Sequence, residues 1–407
     1  MSQKYPGGLI TKSPPATVGP VDGEGGSAPG VWTLDQAMAL NKQGLWPKPL
    51  VLGQLWAWGS GSSGALGLAN TTTYSSPKQV GALSDWANVA AWSSFTLAVK
   101  SAGTLWSWGS NTSGQLGDGS TIARSSPVQV GALTNWRSVA AGGAGTSLAI
   151  KTDGTLWAWG LNNYGQLGLS DVTNRSSPVQ VGALTNWLSA ACGYQSSIAV
   201  KTDGTLWAWG RNDGGQLGLN VSYTVSYSSP KQVGTLTNWR GVTSRGSFCL
   251  AVKTDGTLWA WGGGGFGELG LGNTTSYSSP KQVGALTNWQ LISAGGQHSL
   301  AVKTDGTLWA WGRNFYGTLG LNDTTNRSSP VQVGALTTWQ FVSGGDEHSL
   351  AKSSLGSIWS WGRNDSGQLG QTLSTATNRS SPVQIGALTT WGKIFAGKAN
   401  TFATKTP

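Results

Sequence analysis

The chain has 407 residues, including 62 Gly and 24 Trp, but only 10% of it is charged. Sparse charge with abundant tryptophan excludes an intrinsically disordered chain. The net charge of +10 comes from Lys and Arg spread evenly along the sequence, not run together, which argues against a nucleic-acid footprint.

Residues 1–30 are rich in Pro and Gly and read as an extended arm. The stretch APGVWTLDQAMALNKQGLWP follows. In it Thr33 and Gln36 form a capping box and Gly44 is a helix stop, so a short helix is expected over 34–42, burying Leu34, Ala37 and Met38. Isolated helices under ~12–15 residues are marginal, so this one must dock. Trp32 and Trp46 flank it, and with Leu34, Ala37 and Met38 they make residues 1–50 a candidate anchoring arm. No apolar core of signal-peptide type opens the chain, and no run approaches the ~20 residues of a membrane span. Neither secretion by a signal peptide nor membrane insertion is expected. Cys192 and Cys249 have no disulfide-framework or metal-type spacing and read as small buried side chains.

From residue 51 onward the chain repeats. Trp-x-Trp-Gly begins at Trp56, Trp106, Trp157, Trp207, Trp259, Trp309 and Trp359, in steps of 50, 51, 50, 52, 50 and 50 residues. The decapeptide KTDGTLWAWG is written verbatim four times, from Lys151, Lys201, Lys253 and Lys303. A Gly-x-Leu-Gly turn, a Ser-Ser-Pro and a third tryptophan follow each copy. A period near 50 marks a solenoid or a propeller.

One unit, 288–332, reads as four strands: near 290–294, 299–303 and 307–312, with a last one near 330–333. Asp305-Gly306 between apolar runs is a hairpin signal. Alternation puts Trp309 and Trp311 on one face of the third strand and Leu308, Ala310 and Gly312 on the other. Two apolar faces require burial on both sides, which radially stacked blades provide. The fold expected is all-β: a seven-bladed propeller of four-stranded blades over 51–407. The chain ends with two strands of a blade, and the matching third strand lies at 54–59. The last blade should therefore be shared by the two ends, which removes an open edge.

These residues resemble the regulator of chromosome condensation repeat. The resemblance is carried by AGGQHSLAV from Ala294, WGRN at Trp209, Trp311 and Trp361, and GQLG at Gly114, Gly165, Gly215 and Gly367. It implies the seven-bladed fold but no single activity, since members include an exchange factor for a nuclear GTPase, a plant ultraviolet-B photoreceptor and a bacterial inhibitor of β-lactamases. The photoreceptor's Gly-Trp-Arg-His-Thr motif is absent, and no inserted wedge-like loop of the exchange factor is seen. The family's histidine column reads Phe95, Thr146, Ser196, Phe248, His298, His348 and Asn400, so no catalytic device is shared by the blades. Segment 28–47 looks like short segments of tailed-bacteriophage structural proteins.

No Ser-His-Asp set, phosphate loop or metal spacing appears, and no cofactor is expected. Asp153, Asp203, Asp255 and Asp305 are explained by their turns, and Asp346-Glu347-His348 reads as a solvated loop. Loops alternate between the two propeller ends. One end carries the nearly invariant Thr-Asp-Gly turns and Leu-Thr-Asn-Trp corners. The other varies and holds Phe95, Tyr164, Tyr194, Arg245, Phe248, Phe266, Phe315, Tyr316, Asp346, Glu347 and Lys398, which are interface-type residues.

The reading is a non-enzymatic bacteriophage virion protein of tail or capsid, made in the host cytoplasm. The arm would bind other virion proteins, and the variable face a host-surface protein or glycan. An oligomer in the particle is left open. Two alternatives stand beside it: a soluble propeller that inhibits or sequesters a protein, and a chromatin or GTPase regulator.

Overall fold

The computed structural model describes residues 53–92, 94–371 and 377–405. The expected helix and the arm residues Trp32, Leu34, Ala37, Met38 and Trp46 lie outside the described residues. Among the described residues, twenty-eight strands form seven four-stranded antiparallel sheets. Blades 1 to 6 span 86–129, 136–180, 187–232, 239–282, 289–332 and 339–384. Blade 7 joins Trp391–Ala396 and Asn400–Lys405 to Gln54–Gly59 and Tyr74–Gln79. Gln54 pairs with Lys405 and Gly59 with Asn400, so the ends close the ring as the repeat register requires. The first strands of successive blades touch one another all the way round and surround the axis.

In blade 5 the strands are Trp289–Ala294, His298–Lys303, Leu308–Gly312 and Arg327–Gln332. The outer strand begins three residues before the expected start. Its register against the third strand shifts between Ala310 and Gly312. Ser328-Ser329-Pro330 occupies that irregular part, where proline's missing N–H is tolerated. A strand with a shifted register shows no clean alternation, which hid its first residues.

The two indoles of Trp-x-Trp-Gly have different surroundings. Trp311 is fully buried, while Trp309 is only partly buried, and the same holds in every blade. The buried indole crosses to the preceding blade. Trp361 packs with Leu308, Ala310 and Leu319, and its Nε1 donates to Thr318 O at 2.8 Å. The Ser349 hydroxyl donates to the same carbonyl at 2.7 Å. All seven junctions repeat this double donation onto the variable residue of Gly-x-Leu-Gly, with Cys249 replacing the hydroxyl once. Gly320, at φ +72°, closes that turn; a Cβ there would stand 2.9 Å from Trp361 Nε1. Glycine is needed on both counts.

The partly buried indole explains the verbatim decapeptide. Trp309 Nε1 donates to Thr307 Oγ1 at 2.9 Å, and Thr307 Oγ1 donates to Asp305 Oδ1 at 2.6 Å. Thr307 N reaches the same carboxylate oxygen at 2.9 Å. These hydrogen bonds hold the Asp305 carboxyl below the usual carboxylate range. Lys303 Nζ lies 3.6 Å from the Trp309 ring centroid and 4.9 Å from that of Trp289, a cation between two indoles. Burial pulls the Lys303 ammonium down from its ordinary range. Each of Lys, Asp, Thr and the first Trp thus has a partner fixed within its own blade, and the second Trp has one in the preceding blade, so substitution at any of them breaks a contact.

Candidate functional site

The third strand of each blade ends at a glycine and turns out at the variable end. Gly312 has φ +101°, and a Cβ there would stand 2.7 Å from Gln297 O. Three blades then place an arginine: Arg211, Arg313 and Arg363. Each is tied to the loop after the first strand of its own blade. Arg211 Nη1 donates to Gln195 Oε1 at 2.5 Å and Arg313 Nη1 to Gln297 Oε1 at 2.6 Å, while Arg363 pairs with Glu347.

Each guanidinium also covers an aromatic ring of the preceding blade. Arg211 lies 5.0 Å from the Tyr164 centroid, Arg313 5.0 Å from Phe266 and Arg363 4.9 Å from Tyr316. The three rings occupy one position, just before Gly-x-Leu-Gly. Phe315 packs edge-on to Tyr316 at 4.8 Å and lies 5.7 Å from Arg313. Glu347 lies between Arg313, at 3.8 Å, and Arg363, which also pairs with Asp365. Those carboxylates drive the Arg363 guanidinium further up from its ordinary value. The result is a continuous surface relay over blades 4 to 6: Phe266, Arg313, Phe315 with Tyr316, then Arg363. Phe315 is 63% exposed, Tyr194 47% and Tyr164 37%. Lys398, exposed, stands 3.9 Å from Asp346.

Three of the eleven expected face residues are not at the surface. Phe95 and Phe248 belong to the core, because the histidine column starts the second strand and points inward beneath the end of the first. Arg245 is also buried. It donates to Ala396 O at 3.0 Å and Gly344 O at 3.3 Å, and stacks on Trp92 at 4.2 Å. Arg245 and Trp92 replace, in blades 4 and 1, the glycines that stand at 142, 193, 295, 345 and 397. They meet inside the ring of first strands. Burial pulls the Arg245 guanidinium down to about 10.

Asp346-Glu347-His348 is not one solvated unit either. His348 is fully buried, with Nε2 3.0 Å from Thr401 Oγ1, and His298 Nε2 lies 2.8 Å from Ser349 Oγ. Burial, with the Arg245 charge nearby, pushes both imidazoles down to about 3. They are neutral structural groups linking adjacent blades. Cys192 and Cys249 are free and buried, and burial raises the Cys249 thiol to about 12. No group of His, Cys, Asp or Glu among the described residues could hold a metal ion. Sequence reasoning missed Arg211, Arg313 and Arg363 as site residues. Their signal was present in WGRN, where each arginine follows the glycine that turns the chain outward.

The architecture and this end surface define a class: a closed seven-bladed propeller that presents an aromatic and arginine relay on one mouth. Residues 50–301 match the model of the RCC1-like domain, and residues 305–351 and 356–404 match the regulator of chromosome condensation (RCC1) repeat. The chain belongs to the RCC1 repeat family. Among solved structures it is similar to Prp20p from Saccharomyces cerevisiae, at 22% identity over 88% of this chain and 92% of that one, with a TM-score of 0.78. Human WBSCR16 is similar at 20% identity, over 87% of this chain and 99% of that one, with a TM-score of 0.77. No curated protein sequence matches significantly. Among the described residues no helix is long and apolar enough to cross a membrane.

Proposed function

We propose that the protein is a non-enzymatic binding propeller, a regulator or sequestering protein that takes a partner protein on its variable mouth. The observation that carries this is the relay Phe266, Arg313, Phe315, Tyr316 and Arg363, because exposed aromatic and arginine side chains held in place by one another are the usual anchors of protein interfaces. Pairing each arginine to a fixed acceptor lowers the entropy lost on binding. The similar proteins add support: Prp20p is described for its binding to Gsp1p and histones, and yeast RCC1 (Prp20) as bound by Kap60. All of these partners are proteins. Within this reading a GTPase or chromatin-associated protein is the partner class the family favours.

The test is affinity capture by the full chain, compared with a variant carrying Tyr164→Ala, Phe315→Ala and Tyr316→Ala. Loss of specific partners from the variant, with unchanged thermal stability, supports the reading. Retention of every partner contradicts it.

The segment APGVWTLDQAMALNKQGLWP favours a second reading, in which residues 1–50 anchor the propeller, residues 51–407, to a bacteriophage tail or capsid. Stoichiometric peptides of this chain in density-purified particles would support it. Clean particles without them would remove it.

A further inference from the structure

The outer wall carries a second, repeated surface. At five of the seven blade junctions the same groove opens beside the Leu-Thr-x-Trp corner, with volumes of about 360 to 540 Å3. This is the size range of small-ligand clefts. Two indoles in edge-to-face contact floor each groove, at 5.9 to 6.3 Å between centroids, as in Trp289 with Trp309 and Trp339 with Trp359. A Gly-rich turn, a glutamine and a Ser-Pro pair line the walls. One leucine forms the lip. In these grooves it is Leu133, Leu184, Leu286, Leu336 or Leu388, each 46–49% exposed. Folding gives no reason to repeat a half-exposed leucine at the same place in every blade, since its burial would be favourable.

Charge narrows the occupant. The grooves of blades 4/5 and 5/6 are lined by no charged side chain. Where Arg124 or Arg175 enters the lining, it is paired with Asp118 or Asp171, whereas Arg379, in the groove of blades 6/7, has no carboxylate paired with it among the described residues. The repeated part of the lining is uncharged in all five grooves, so a polyanion or a charged peptide finds no complement that repeats from blade to blade in the lining. Repetition narrows the occupant further. Five equivalent sites on one rim gain from simultaneous occupancy only if the target repeats as well. A single globular protein does not offer five copies of one epitope, whereas a neutral polymer does.

We propose that these grooves are an array of weak sites for a neutral polysaccharide, with sugar C–H faces against the indole and leucine, and hydroxyls toward glutamine, serine and glycine backbone groups. This surface is separate from the variable mouth, so either reading can fail alone.

The test titrates the full chain with soluble α-mannan, β-glucan and β-galactan, with their methyl monosaccharides, and with heparin, following tryptophan fluorescence. One neutral polymer should bind ~100-fold more tightly than its monosaccharide. Replacing all five lip leucines by Asp should weaken it ~10-fold or more, which is about 1.4 kcal/mol. The five-fold Leu→Ala variant supplies the same comparison if the Asp variant does not fold. Phe315→Ala/Tyr316→Ala should leave polymer binding unchanged. The proposal is overturned if none of the three polymers binds, if heparin binds in their place, or if the leucine variants that fold bind normally.

Discussion

Arg245 stacks on Trp92 inside the ring of first strands, with its guanidinium carbon 4.2 Å from the indole centroid. The two residues come from blades 4 and 1 and are the two departures from glycine at one position of the repeat. A cation taken from water there is offset by the ring face and by two backbone carbonyls.

Their coupling is measurable. Trp92→Ala should cost about 3–5 kcal/mol in the native chain, as large aromatic truncations do. In an Arg245→Met background, which keeps an apolar stem and removes the charge, the same change should cost at least ~1 kcal/mol less. Urea unfolding of the four proteins gives the cycle, and equal costs in both backgrounds would mean that the stack adds nothing.

The junction carbonyls make a second prediction. Glu268 O accepts from Trp311 Nε1 at 2.9 Å and from Ser299 Oγ at 2.7 Å. Ser299→Ala alone leaves the carbonyl one donor and should cost about 0.5–1.5 kcal/mol. Trp311→Phe adds lost packing to its own lost bond. Together they strand a buried carbonyl, so the double variant should exceed the sum of the singles by about 1–3 kcal/mol. Additive costs in chemical denaturation would contradict shared acceptance.

Acid should weaken the fold through two sets of groups, the histidines first and the carboxylates at lower pH. His298 and His348 are held down to about 3, below the ordinary imidazole value of 6.5. Between those values the unfolded chain binds protons that the folded chain does not, so stability falls as pH drops from about 6.5 towards 3. Each histidine contributes at most about 1.4 kcal/mol per pH unit there. The hairpin carboxylates Asp153, Asp203, Asp255 and Asp305 are lowered by their threonine hydrogen bonds, and their contribution is lost only below the ordinary carboxylate value. The double variant His298→Gln/His348→Gln should flatten the melting temperature profile between pH 6.5 and 4. A profile as steep as that of the native chain would refute this assignment.

The architecture was readable because its main signal is periodic. Trp-x-Trp-Gly at a step of 50 to 52 residues, one hairpin turn per copy and a half-blade at each end specify number, order and closure. The junction carbonyls were not readable, since a Gly-x-Leu-Gly turn does not state which blade its carbonyl meets. Phe95 and Phe248 were expected on the loops because they sit where the repeat varies. Variation there has a packing cause: the position lies under the end of the first strand and accepts Phe, Thr, Ser, His or Asn according to its neighbours. Arg245 was misplaced for the same kind of reason. Only the opposite side of the ring shows that Trp92 waits for it. Phe315, Tyr164 and Tyr194 are exposed as expected and Tyr316 is half-buried, because side chains on these loops have little fold around them to bury them.

The relay makes its own stability prediction. Phe315 is 63% exposed and, among the aromatic and cationic groups of the described residues, touches only Tyr316 and Arg313. Phe315→Ala should therefore change unfolding free energy by no more than about 0.5 kcal/mol, as surface changes do. Any large effect on partner capture then belongs to binding.

In the proposed function the variable mouth is the partner-binding end. A photo-crosslinking residue placed at Phe315, with the same residue at Asp203 on the opposite end as control, tests it most directly. A discrete protein adduct is expected from position 315, absent from position 203 and abolished by Arg313→Ala with Tyr316→Ala. Equal adducts from both positions, or an adduct from position 203 alone, would contradict it.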